Sequence, residues 1–278
     1  MRRLHHALLI GLALMLPILA AAEAPAILLA NVYRDQVDVS RYLASEKLDG
    51  VRAIWDGQAL RFRSGKIINA PHWFLAGLPQ QPLDGELWIA RGQFERVSGI
   101  VRREIPDDAA WRDVRYMIFE LPGAAGSFSE RAEQIRLLVR QANVPWLFQI
   151  QQFFPVDRSN LKKRLDEVVR AGGEGLMLHL ADAPYETGRS DVLLKMKPWQ
   201  DAEAVVIGHQ AGKGRFAGML GALKVRTPEG REFLLGTGLS DAQRREPPAI
   251  GTIVTYRYRD LTGKGLPRFA SFLRVREE

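Results

Sequence analysis

The chain has 278 residues, with 39 Lys and Arg against 32 Asp and Glu and a formal net charge of +7. A hydrophobic content of 46% with 26% charged residues excludes a disordered or fibrous chain and leaves apolar mass for one large domain or two smaller ones. A cysteine count of 0 excludes disulfides and thiolate metal sites, and suits oxidising and reducing compartments alike.

Arg2 and Arg3 precede an apolar run from Ala7 to Ala22, broken by Gly11 and Pro17 and ending in Ala20-Ala21-Ala22. The run is shorter than the roughly 20 residues of a membrane span, and its small-residue end predicts a signal peptide over residues 1–22. Cleavage after Ala22 would leave a periplasmic protein with no membrane segment. Losing Arg2 and Arg3 lowers the positive excess by two, and most of the remainder lies beyond residue 200. That balance permits a polyanionic partner without requiring one.

From Ala44 to about Ile89 the pattern predicts short strands and turns. Val51, Ala53 and Trp55 alternate with other positions, Asp56-Gly57 signals a hairpin, and Leu60 and Phe62 begin the return strand. Asp84-Gly85 reads as a lead-in to another strand at Leu87–Ile89, and Arg115–Leu121 as a buried strand. Ser127 and Glu130 form a capping box for a helix whose face carries Ile135, Leu138, Val139 and Ala142. A second helix, capped by Ser159, has Leu161, Leu165, Val168 and Val169 at helical spacing and stops at Gly172-Gly173. A strand over Glu174–Leu180 follows.

The pattern changes near Pro198. Five short strand-like runs follow, at Glu203–Gly208, Gly221–Val225, Glu232–Leu235, Thr252–Tyr258 and Ser271–Val275. Ser240-Asp241 predicts a short helix between the third and fourth, the plan of a small OB-type β-barrel. The expected fold is therefore α+β, with a domain of antiparallel sheets and helices over residues 23–199 followed by an OB-fold barrel over 200–278.

The chemistry centres on Glu46-Lys47-Leu48-Asp49-Gly50-Val51-Arg52. A lysine in the frame K-x-D-G-x-R suggests an amine nucleophile for a nucleotide phosphate. Attack needs the neutral amine, which neighbouring cations and partial desolvation favour. Lys195 and Lys197 flank Met196 and fall on one face of a strand, suited to an α-phosphate. Glu86 and Glu174, each beside glycine, offer a ribose contact and a site for Mg²⁺, or Mn²⁺ in its place. Phe119 offers a face for a purine.

In this order, Lys47-x-Asp49-Gly50-x-Arg52, Arg63-Ser64-Gly65, Asp84-Gly85-Glu86, Phe119, Glu174-Gly175-Leu176-Met177 and Lys195-Met196-Lys197 resemble the nucleotidyltransferase motifs of ATP-dependent DNA ligases. The mature chain resembles the minimal bacterial form of that family. The resemblance implies that Lys47 is the adenylated nucleophile and that Asp49 serves the phosphate-transfer steps. Glu46 would lie beside adenine, Phe119 would stack on it, and Glu86 would hold ribose. Arg52 and Arg63 would contact ribose or the 5′-phosphate of a nick. Glu174 would bind metal with Glu86, and Lys195 and Lys197 would hold the α-phosphate. Arg268, within Pro267-Arg268-Phe269, would orient pyrophosphate. The partner would be nicked double-stranded DNA, bound by a monomer. Its grip is expected at Arg63, at loops including Arg102 and Arg103 within Arg91–Arg103, and at Lys213 and Arg215.

Gly208–Arg215 departs from the phosphate-loop spacing and is expected to be a flexible barrel loop. His72, His179 and His209 lack ligand spacing for zinc. An RNA ligase, a protein AMP-transferase and a non-catalytic nucleic-acid-binding protein are the alternative readings of the same residues.

Overall fold

A computed structural model describes residues 24–262 and 264–276; the leader expected over residues 1–22 lies outside the described residues. Chain order begins β1 (Leu28–Val32), β2 (Tyr42–Lys47), β3 (Val51–Trp55), β4 (Leu60–Phe62), α1 (His72–Ala76), β5 (Leu83–Trp88), α2 (Phe94–Val101), α3 (Asp108–Trp111) and β6 (Arg115–Glu120). It continues with α4 (Phe128–Ala142), β7 (Leu147–Gln149), α5 (Arg158–Arg170), β8 (Gly175–Leu180) and β9 (Gly188–Met196). The C-terminal part holds β10 (Gln200–Ala211), β11 (Leu220–Arg226), β12 (Glu232–Leu235), α6 (Asp241–Arg245), β13 (Ile253–Tyr258), β14 (Asp260–Leu261), β15 (Pro267–Arg268) and β16 (Ser271–Val275). Among the described residues no helix is long and apolar enough to cross a membrane.

Residues 24–199 build two sheets. One has the order β1-β9-β8-β2, the other β4-β3-β5-β6-β7. Most neighbours are antiparallel, but β1 runs parallel to β9 and β6 parallel to β7. The five-stranded sheet packs Val51, Ala53, Leu83 and Leu87 against Phe74, Val97, Ile100, Trp111 and Ile135 from the helices. The four-stranded sheet packs Tyr42, Ala44, Leu176 and Leu178 against Leu161 and Leu165 of α5. The sheets meet where Phe153 bridges Ala44, with a cleft between them.

Local chemistry departs from expectation at several points. Asp84-Gly85 lies inside β5 rather than ahead of it. Asp84 is fully buried, and a Cβ on Gly85 would sit 2.6 Å from the Met117 carbonyl oxygen. Glycine is required there by the close approach of β6, not by a turn. The cap of α5 is Asp157, whose carboxylate accepts the Asn160 N–H at 2.7 Å; a carboxylate at the dipole's positive end displaces Ser159 as cap. Residues 91–103 are largely α2, with Val97, Ile100 and Val101 in the core, and not a free loop.

The C-terminal sheet has the order β12-β11-β10-β13-β16, with α6 between its third and fourth strands as expected. It is OB-like but not a closed barrel. Its ends meet at one bridge, Thr237 to Ser271, because β12 has four residues and turns away after Leu235. Arg244, on α6, is buried. It donates to the carbonyls of Leu220, Gly221 and Gly236 at 2.7–3.0 Å and stacks on Phe216. The Gly208–Arg215 stretch is β10 as far as Ala211, then a 3-10 turn over Gly214–Phe216. An unexpected hairpin, β14 with β15, projects from the sheet toward the first domain.

Candidate active site

Lys47 ends β2, and the turn Leu48–Gly50 carries the chain from one sheet to the other. That turn is tight: a Cβ on Gly50 would meet the Leu87 carbonyl oxygen and lie 2.9 Å from Glu86 Cγ. Register then sets the partners. Lys47 faces Gly175 across β2–β8, Met177 faces Lys195 across β8–β9, and Arg52 faces Glu86 across β3–β5. Strand alternation places Lys47, Met177 and Lys195 on the wall of one cleft.

The cleft is a cavity of about 310 Å³, enough for a nucleoside. Glu46, Lys47, Arg52, Arg63, Glu86, Phe119 and Lys195 line it. Glu174 and Lys197 close its mouth: Glu174 accepts a hydrogen bond from Lys47 Nζ, and Lys197 Nζ lies 2.9 Å from its other oxygen. With Lys195 bonded to Asp260 of the C-terminal hairpin, three ammonium groups lie within reach of two carboxylates. The ion pairs with Lys47 and Lys197 outweigh burial and hold the Glu174 carboxyl below the usual range. Burial alone would lower Lys197, but its contacts with Glu174 and Asp260 raise it.

Glu86 behaves oppositely. It is enclosed between the sheets, and burial pushes its pKa up to about 8, with Lys47 and Arg52 offsetting only part. Asp49, on the turn, is raised by burial and by the nearby Glu174 charge. Arg52 is held by Asp84 through two hydrogen bonds of 2.9 and 2.6 Å, and by the Leu28 carbonyl at 2.9 Å. Its guanidinium lies over Phe119 at 5.3 Å, which orients that ring toward the cavity. Glu46 is clamped by Arg91 at 2.7 and 2.8 Å.

The remaining expected residues lie apart from this cluster. Arg102 and Arg103 are exposed beyond α2, Arg102 over Phe62 at 5.3 Å and Arg103 paired with Asp107 at 3.0 Å. Lys213 and Arg215 are exposed around the 3-10 turn of the OB-like domain. Arg268 lies in β15, paired in register with Asp260.

Sequence reasoning did not find Asp84, Arg91 or Asp260. Asp84 was hidden by the turn signal of Asp-Gly. Arg91 lay in a stretch read as a loop. Asp260 reaches Lys195 Nζ at 2.5 Å and lies 3.9 Å from Lys197 Nζ, across a separation in sequence that no local pattern reveals.

A cavity of nucleoside size with cations at its mouth suits attack by an amine on a bound phosphate, and known proteins point the same way. Residues 211–276 match the model of the DNA ligase OB-like domain. The chain is 34% identical over 251 residues to a DNA ligase of Haemophilus influenzae, covering 90% of this chain and 92% of that one. It also matches a probable DNA ligase of Streptomyces avermitilis at 28% identity, of whose length it spans 49%. A solved Lig E DNA ligase superposes with a TM-score of 0.63 at 47% identity, over 91% of this chain and 99% of that one. The Chlorella virus DNA ligase-adenylate shares the fold, with a TM-score of 0.54 at 24% identity over 93% and 99% of the two chains. With nearly the whole length of the Haemophilus protein and of the Lig E structure matched, and with the lysine cluster at the mouth of the cleft, this chain belongs to the DNA ligase family.

Proposed function

We propose that the protein is an ATP-dependent DNA ligase that joins the 5′-phosphate and 3′-hydroxyl of a nick, an activity of the EC 6.5.1.1 type. The observation that carries this is the convergence of Lys47 and Lys197 on Glu174, with Lys195 lining the same cleft and bonded to Asp260.

In the first step, Lys47 Nζ attacks the α-phosphorus of ATP. An N–P bond forms, the α–β P–O bond breaks, pyrophosphate leaves and the amine gives up a proton. Glu174, already bonded to Nζ, is placed to hold that proton. Lys195 and Lys197 hold the α-phosphate, and their fixed charge stabilises what develops in transfer. Arg268, on the hairpin that carries Asp260, would orient the pyrophosphate. In the second step an oxygen of the DNA 5′-phosphate takes AMP from Lys47, breaking the N–P bond. In the third the 3′-oxygen attacks the 5′-phosphorus and AMP leaves. Asp49, on the turn that follows Lys47, would serve these last transfers.

Phe119 stacks on the base, Glu46 lies beside it, and Glu86 bonds the ribose together with Arg52 or Arg63. Glu86 and Glu174 suit Mg²⁺, or Mn²⁺, which takes one or two carboxylates and completes its shell with phosphate and water oxygens. Among the described residues no cluster of three acidic or histidine side chains forms a protein-only cage. Such an ion, when bound, supplies positive charge to the phosphates. Arg63, Arg102, Arg103, Lys213 and Arg215 contact the DNA backbone of a nicked duplex, bound by a monomer. The leader over residues 1–22 directs the protein to the periplasm.

Incubation with α-labelled ATP and Mg²⁺, then a chase with nicked duplex, tests the reading. Label that requires Lys47 and is discharged as sealed DNA supports it. Label that stays on Lys47→Ala, or is never discharged onto DNA, refutes it.

A further inference from the structure

The loop joining β10 to β11, residues 212–219, is held by its own backbone. Gly212 N–H bonds the Met219 carbonyl at 2.8 Å across the base of the loop. Within it, the N–H groups of Phe216, Ala217 and Met219 donate to the carbonyls of Lys213, Gly214 and Phe216 at 3.0–3.2 Å. Gly214 and Gly218 take positive φ, 57° and 80°, where the chain reverses. A Cβ on Gly212 would overlap the Phe216 carbonyl oxygen, so the loop folds back against its own root.

Phe216 is the hub of this loop. The Arg244 guanidinium lies 4.0 Å from its ring centroid and the Arg215 guanidinium 4.4 Å. Two guanidinium groups that close would overlap on one face of a ring, so they take opposite faces. Arg244, 6% exposed, is on the inner side, and Arg215 is exposed on the outer. Arg244 is fixed in turn. It donates to Leu220 and Gly221, where the loop returns, and to Gly236 beyond β12, at 2.7–3.0 Å. All three of those partners are neutral carbonyls. A buried charge is screened little by salt, so the field of Arg244 reaches the loop above it.

The stack has a consequence for Arg215. A guanidinium lying over a ring keeps its N–H edge free, and that edge is what a phosphate takes. An unheld arginine loses rotamer freedom when it meets a phosphate, and one already resting on a fixed ring loses less. A loop with a locked backbone and a ring clamped from below presents its cation ready for contact.

Resting on the ligase reading above, we propose that Phe216, backed by Arg244, is a positioning residue for DNA: it holds Arg215 out, ordered in advance, for a backbone phosphate of the nicked duplex.

A double-mutant cycle tests this. Affinity for nicked duplex is measured by fluorescence anisotropy at fixed salt for the wild type, Arg215→Ala, Phe216→Leu and the double variant. Arg215→Ala is expected to raise the Kd about three- to tenfold, the worth of one charged contact. Phe216→Leu keeps the arginine and should still lose most of that affinity, and the double variant should be little worse than either single one. Phe216→Trp, which offers a cation a better face, should bind as the wild type does. Formation of the Lys47 adduct from ATP, read by intact mass, reports on the rest of the fold and should be the same in Phe216→Leu as in the wild type. Additive losses overturn the proposal, because Arg215 then acts without the ring. An Arg215→Ala protein that binds as the wild type does overturns it too, and both results leave the ligase reading intact. A loss of adduct in Phe216→Leu in step with the loss of binding also overturns it, as damage to the domain. No adduct from ATP in the wild type overturns the ligase reading, and this proposal with it.

Discussion

Lys195 Nζ lies 2.5 Å from Asp260 Oδ2, so a carboxylate of the OB-like domain caps a lysine of the nucleotide cleft. The contact is not an isolated touch of two surfaces. Its neighbour Arg259, 3% exposed, donates to the Lys197 carbonyl at 3.0 Å and to Asp35 at 3.2 Å, and lies over Tyr33 and Trp199. The anchor and the acidic tip are consecutive residues, Arg259 leading into β14 and Asp260 opening it.

The Asp260 carboxylate and the α-phosphate of ATP require the same ammonium groups. Asp260→Asn should therefore lower the KM for ATP in Lys47 adenylation by about two- to fivefold. The pair is partly exposed and worth under about 1 kcal/mol. The effect should shrink at high salt. A KM that rises, or that ignores salt, would sink this account.

Glu86 and His179 should leave opposite marks on stability against pH. Glu86 has a folded pKa of about 8 against an ordinary 4.5, so the folded state binds the extra proton and stability falls as pH rises through that window. His179 has a folded pKa of about 3 against 6.5, so the unfolded state binds the extra proton and stability falls as pH drops below 6.5. The two slopes oppose each other between about 4.5 and 6.5. Urea titrations across pH should show Glu86→Gln flattening the decline from 6.5 to 8, and His179→Gln flattening the acid limb.

Arg131 is fully buried and bonds Glu120 through both oxygens. Removing one partner strands a charge in the interior, at a cost of about 3–5 kcal/mol. Arg131→Met should lower the urea midpoint strongly. The double variant with Glu120→Gln should recover part of the loss, and simple additivity in the cycle would contradict a coupled pair.

Gly85→Ala should destabilise by about 1–3 kcal/mol, since its methyl group would sit 2.6 Å from the Met117 carbonyl oxygen and force the strands apart. Thermal unfolding measures it. A neutral result would mean that β5 and β6 approach less closely than described.

Arg102→Ala should weaken binding to nicked duplex and reduce the slope of log affinity against log salt by about one, the signature of a lost phosphate contact. Fluorescence anisotropy over a salt series gives both numbers. An unchanged slope would remove Arg102 from the DNA interface.

Much of this was legible in the chain itself. Lys47, Glu86, Glu174, Lys195 and Lys197 were visible because each sits in a short motif: Lys47 two residues before Asp49-Gly50, Glu86 and Glu174 beside glycines, and Lys195 and Lys197 at alternating positions. The OB-like strands and α6 were visible through alternation and the Ser240 cap. Helices α1 and α3 were not, being five and four residues long, too short for a helical period to show. The parallel pairing of β1 with β9 depends on residues some 160 apart, and the buried role of Asp84 on a register that only the assembled sheet supplies. The pair Lys195–Asp260 is set by how two domains meet.

Trp199 is wedged beside Arg257 at 4.7 Å and Arg259 at 4.2 Å, at the junction where the two domains touch. A guanidinium against an indole alters its emission, and separation of the domains would break the Arg259 bond to Asp35 that helps hold the guanidinium against the ring. The chain thus carries an intrinsic optical gauge of its own closure. The fluorescence of the native protein, with Trp199→Phe as the blank, would time domain opening during a single turnover without any added label.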